Sequence, residues 1–243
     1  MCILHRICVS VSAVLLGILT PAQSTADLPE KLKQEVESAK SKYAEAYKAA
    51  DKKLLETFDT EMANVRKQPG LKAEERQQLI EAIGIEKAAF EKAGAIPFSL
   101  RMRTATISYL TRISDMQRPV AAIYDKAIEY STKNKDDEGS AKLVTEKRMF
   151  LKPRTIAIWD CKGINWKGGM IYHLYADGTS RINNESHTST WTFIKDKLVV
   201  KNPAPNAPPG GWIDTFTFEP LGQLFTASNQ KGGKFSGKWI GPK

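Results

Sequence analysis

At Thr155 the spacing of apolar residues changes from steps of three or four to steps of two, and no other feature restricts the fold so far. Before this point the chain reads as helices, after it as strands. All five tryptophans (Trp159, Trp166, Trp191, Trp212 and Trp239) follow the switch. Between Gly210 and Phe218, Trp212, Asp214, Phe216 and Phe218 alternate with Ile213, Thr215 and Thr217, so a strand sends the first four to one face. A carboxylate on an aromatic face, Asp214, is the least expected residue of the chain.

Strands are expected near 155–161, 170–176, 179–185, 190–195, 198–202, 211–218, 223–229 and 234–240, with turns at Asp177-Gly178, Lys195 to Lys197, Pro220 to Gly222 and Lys231 to Gly233. Short strands joined by tight turns predict an antiparallel β-meander curled into a small barrel or half-barrel. A turn at 219–222 would pair Phe218 with Gln223, Phe216 with Phe225, Asp214 with Ala227 and Trp212 with Asn229. The proline-rich stretch from Asn202 to Gly211 should cross one mouth of the sheet as extended chain.

Ahead of the switch, Leu32, Val36, Ala39, Tyr43, Ala46, Ala50, Leu54, Phe58, Met62 and Val65 draw one narrow stripe along a long first helix, stopped by Pro69-Gly70. Its start is marked by Asp27 as an acidic cap, by Pro29 in the first turn and by Glu30 near the positive end of the helix dipole. A second helix, Lys72 to Ala93, follows so closely that the two form an antiparallel αα-hairpin. Ser99 can cap a third helix reaching about Lys133, which Pro119 should kink or divide. Ser140 to Leu151 reads as a short fourth helix. The fold class is therefore α+β, with an N-terminal helical hairpin or bundle, coiled-coil-like, over 27–152 and a β-meander over 153–243.

Residues 1–26 have the form of a signal peptide: a basic His5-Arg6, an apolar run from Ile7 to Leu19, and small residues ending at Ala26. Export with cleavage near Ala26 is expected, to the periplasm or beyond, with no transmembrane segment afterwards. Cleavage would leave Cys161 as the sole cysteine and no internal disulfide. The net charge of +9 is spread over both halves without a basic block, which argues against nucleic acid as a partner. A mildly basic surface would favour anionic envelope polymers.

Tyr124-Asp-Lys-Ala-Ile-Glu-Tyr130, within helical sequence that follows a signal peptide, resembles exported proteins of planctomycete-type bacteria in which a helical segment precedes a β domain. Trp159, the Asp177-Gly-Thr179 turn, Ser189-Thr-Trp191 and the glycine-rich end are similar to lipocalin-like or avidin-like meanders. The resemblance implies a fold and an export route, and no activity.

For chemistry, His173, His187 and Cys161 are the only histidines and thiol beyond the signal. A Cys161/His-dependent hydrolase would need the thiol activated by a base, yet Cys161 falls on a strand face with Ala157 and Trp159. No phosphate loop, nucleophile elbow or metal-ligand spacing occurs, so no cofactor and no metal are expected. The favoured expectation is a non-catalytic binding or interaction protein of the cell envelope. Its β domain would contact a glycan or small ligand through Trp166, Trp212, Asp214 and Asn229, aromatic faces with a few orienting polar groups. The helices would give spacing or self-association. The alternative is a purely structural envelope protein.

Overall fold

The computed structural model describes residues 28–165, 167–183, 188–204 and 207–241, so the expected signal peptide lies outside the described residues. Four helices come first: α1 (Glu30–Lys67), α2 (Ala73–Ala93), α3 (Arg103–Lys133) and α4 (Asp137–Phe150). Eight strands follow: β1 (Thr155–Gly163), β2 (Gly169–Tyr175), β3 (Thr179–Ile182), β4 (Ser189–Ile194), β5 (Lys197–Asn202), β6 (Trp212–Phe218), β7 (Leu224–Asn229) and β8 (Lys234–Trp239). Each strand pairs antiparallel with the next, and β8 returns to β1, giving a closed barrel rather than a half-barrel.

The stripe of α1 is buried as its spacing requires, through Leu32, Val36, Ala39, Ala50, Leu54, Phe58 and Val65. Its C-terminal half packs antiparallel on α2, where the Phe58 and Phe90 rings lie 6.3 Å apart and Lys87 pairs with Asp59 at 2.6 Å. Along α3, Tyr109 donates to Asp51 at 2.7 Å and Lys126 to Glu35 at 2.8 Å. The N-terminal half of α1 shares a second core with α3 and α4, built on Leu32, Val36, Val120, Tyr124, Ala127 and Leu143. No helix among the described residues is long and apolar enough to cross a membrane.

Two helix boundaries follow from chemistry that spacing does not carry. Helix α2 ends at Gly94, whose φ of +65° closes the last turn while the Gly94 N–H reaches the Phe90 carbonyl. A side chain there would also collide with the Arg154 guanidinium. Ser99 does not cap α3 as expected. Its hydroxyl donates to Glu86 at 2.7 Å, and α3 begins four residues later, behind a turn. Pro119 does not divide α3; Ile113, Val120 and Tyr124, all buried, anchor the helix on both sides of it.

The β6–β7 register also differs from expectation by two residues: Asp214 faces Asn229, Phe216 faces Ala227 and Phe218 faces Phe225. The connection is two residues longer, and within it Gly222, at φ +75°, runs so close to the Ser99 amide and the Glu86 carboxylate that a side chain there would collide with both. A shift of two leaves every side chain on its expected face.

The barrel is filled rather than hollow through its lower half. Trp159, Phe216 and Phe225 are almost fully buried, and their ring centroids lie 5.5 Å (Trp159–Phe216), 5.0 Å (Trp159–Phe225) and 4.9 Å (Phe216–Phe225) apart. Gly237 makes room for this cluster, since a Cβ there would fall 2.3 Å from the Phe225 ring. The lower end is plugged by the α2–α3 connection. Phe98 inserts against Trp159 at 4.7 Å and stacks on Phe218 at 5.2 Å, so helices and barrel share one hydrophobic core. Arg103 covers the plug, its guanidinium 4.1 Å over the Phe193 ring and donating to the Phe98 carbonyl at 3.1 Å.

Candidate functional site

Because the helices occupy the lower end, the expected binding residues fall toward the other. Strand β6 runs downward from Trp212 at the upper rim, through Asp214, to Phe216 and Phe218 in the filled half. Alternation turns Asp214 inward, where it keeps 6% exposure. Across the interior, Tyr172 of β2 donates its hydroxyl to Asp214 Oδ2 at 2.7 Å. The Tyr172 ring is held in place by stacking on Phe235 at 6.1 Å and an edge contact with Phe216 at 5.3 Å. Burial raises the Asp214 carboxyl above the usual carboxylate range, and the Tyr172 hydrogen bond opposes that only in part. No Lys or Arg pairs with Asp214 among the described residues.

On the β3–β4 side the inward residues are Ser180, Ile182, Ser189 and Trp191. Ser180 and Ser189 are Cα partners, both fully buried and inward, and neither hydroxyl has a hydrogen-bond partner among the described residues. Val200 separates Trp191 from Asp214 along the adjoining rungs.

The four residues singled out in the sequence fare differently. Trp166 lies outside the described residues. Trp212 is half-buried at the rim, opposite Asn202, with the Lys231 ammonium 5.6 Å over its ring. Asn229 stands opposite Asp214 rather than Trp212, and its side-chain carbonyl accepts from the Lys231 and Gly233 amides at 3.0 and 2.9 Å. Its side chain therefore shapes the β7–β8 turn. Asp214 is buried and turned inward, in contact with the Tyr172 hydroxyl. Sequence reasoning misses Tyr172: the alternation of β2 puts it inward, and only barrel closure brings its hydroxyl to Asp214.

Cys161 is fully buried among rings, its thiol pushed up chiefly by that burial. His173 lies on the opposite face of the wall, between Tyr172 and Leu174, so the two are not brought together. His187 lies outside the described residues, and no group of three metal-binding side chains occurs among those described.

Replacing Asp214 by Asn tests the electrostatics directly. A carboxyl raised on folding contributes stability present below its unfolded value and lost as pH rises through the folded one. At neutral pH the buried Asp214 carboxyl therefore costs stability. Asp214→Asn, which retains an acceptor for Tyr172, should stabilise the protein by on the order of 1 kcal/mol at pH 7. The gain should vanish below the usual carboxylate range; thermal melts across pH check it.

Comparison with family models, with curated proteins and with solved structures gave no match.

Proposed function

We propose that this chain is an exported, non-catalytic binding protein of the cell envelope whose barrel takes a glycan or small ligand at the end away from the helices. The observation that carries this reading is Asp214: buried, inward, and held by a tyrosine hydroxyl where an apolar residue would pack at lower cost. A buried ionisable group with a perturbed titration is a recognised mark of a functional site. Export rests on the signal-like first 26 residues. The helices act as a base that plugs the lower end, and the α1–α3 surface offers spacing or self-association. The filled lower half favours a purely structural role as the second reading.

Five tryptophans make the test simple. Intrinsic fluorescence of the mature chain, titrated with short oligosaccharides and small polar molecules, should shift saturably with at least one probe. Asp214→Ala should abolish the shift while melting remains cooperative. No shift with any probe, or an unchanged shift in the variant, leaves the structural role.

A further inference from the structure

Among the described residues, the antiparallel α1–α3 pair is covered on one side only. There α2 packs on it through Phe90, against Phe58 and Tyr109, and α4 through Phe150 and Glu146, against Tyr43 and Lys40. On the other side the seam is open. Two clefts follow one another along it, one of about 600 Å³ between Lys31–Ala46 and Met116–Ile123, the next of about 350 Å³ between Ala50–Glu61 and Arg101–Arg112. From Lys31 to Glu61 the groove is roughly 45 Å long at 1.5 Å per residue. Its floor is apolar: Ala39, Ala50, Leu54 and Val120 are buried, and Met116 and Ile123 half-buried. Its walls add Ser38, Ala46, Thr57, Ala105 and Ser108, side chains short enough for another helix to approach closely. The edges are cationic. Lys31, Lys42 and Lys53 are spaced by eleven residues, about three helical turns, and so form one row on α1. Arg101 and Arg112 line the α3 side. Of the two carboxylates in the clefts, Glu35 is neutralised by Lys126 at 2.8 Å and Glu61 accepts from the Asn64 amide. Lys42, Lys53 and Arg112 form no salt bridge among the described residues.

We propose that this groove docks an acidic amphipathic helix of a partner protein, with its apolar side on Ala39, Leu54 and Val120 and its Asp or Glu side chains on Lys42, Lys53 and Arg112. A helix laid in a groove buries an apolar floor that would otherwise face water, and its flanking carboxylates meet cations that have no counter-charge of their own. A second copy of this chain presents the same cations, so like charge opposes self-association through this face. Residues 1–26 contain no Asp or Glu and do not match the edges either. A flat lipid surface would meet the cations and leave the floor uncovered. The proposal is independent of what the barrel binds.

Phage display of amphipathic helices of roughly 28 residues, close to the groove's length, tests this on the mature chain when the edge positions are free to be Glu, Lys, Gln or Ala. Retained helices should carry Glu along both edges. A retained helix, made as a labelled peptide and followed by fluorescence anisotropy, should bind the triple variant Lys42→Glu, Lys53→Glu, Arg112→Glu at least about tenfold more weakly, the scale of three exposed ion pairs. Those side chains are exposed, so melting should not change. Ala46→Trp, which fills the groove without altering charge, should weaken binding as well. Reversing the exposed Lys197, Lys201 and Lys238 on the barrel to Glu should leave it unchanged. Retained helices with neutral or basic edges, or an equal loss from the barrel reversal, overturn the proposal. So does the retention of no helix; binding of the parent to phosphatidylglycerol vesicles would then give the cations to a lipid surface. A parent dimer in sedimentation that Ala46→Trp dissociates would make a second copy the occupant instead. None of these failures touches the barrel reading, which fluorescence tests separately.

Discussion

Phe98→Ala should cost about 3–5 kcal/mol, the range for truncating a fully packed aromatic. Phe98 lies outside any regular element, between Pro97 and Ser99, yet its ring touches Trp159, Phe218 and Phe193 at centroid distances of 4.7, 5.2 and 6.3 Å. Truncation opens a void at the lower end of the barrel, bounded above by Trp159 and Phe218, which cannot collapse inward because strand pairing fixes their backbones. Arg103, which rests on Phe193 and Phe218 beside the plug, would then stand over empty space. Leu100→Ala, two residues along and 46% exposed, should change stability by less than about 0.5 kcal/mol. In the parent, helical and tryptophan signals should melt together, since one core spans both layers. In Phe98→Ala the tryptophan signal should lead. Equal denaturation midpoints for parent and variant would show that the barrel end is closed by something other than this ring.

That position shows where the sequence stops being informative. The helices and strands are readable because periodicity is a local property: each element's buried residues lie three, four or two apart along the same segment. Closure into a barrel is half readable, since eight short alternating strands need partners at both edges. What is not readable depends on contacts between distant segments. The β6–β7 register moves by two, and the longer connection carries Gly222 up against Ser99 and Glu86, far earlier in the chain. Ser99 has the residue type of a helix cap, but a buried carboxylate on α2 takes its hydroxyl instead. Asp214 is conspicuous as a polar residue on an apolar face, and its partner is not, because Tyr172 reaches it only across a closed barrel. Asn229 carries the right residue type for a ligand contact but is spent on the turn that follows it.

The Glu86 carboxylate is the other group on which the plug depends. Its Oε1 accepts from the Phe98 and Ser99 amides at 2.7 and 2.8 Å, and its Oε2 from the Ser99 hydroxyl at 2.7 Å. These donors come from irregular chain, so no helix or strand offers them an alternative acceptor. Glu86→Ala would strand two amides and a hydroxyl in a buried site, at roughly 3 kcal/mol or more, given the cost of each unsatisfied group. Glu86→Gln should lose far less, because the amide oxygen keeps both backbone bonds and its NH2 can donate to Ser99, which then accepts. The pH dependence separates charge from geometry. Burial raises the Glu86 carboxyl above the usual range, and the Ser99 and Phe98 hydrogen bonds pull against it without prevailing. By the same linkage as for Asp214, its contribution is present below the unfolded carboxylate value and falls away as pH rises through the folded one. Stability of the parent should therefore decline over that interval more steeply than that of Glu86→Gln, read from denaturant midpoints at successive pH. A parent that instead gained stability there relative to Glu86→Gln would mean that the three hydrogen bonds outweigh burial and hold the carboxylate ionised.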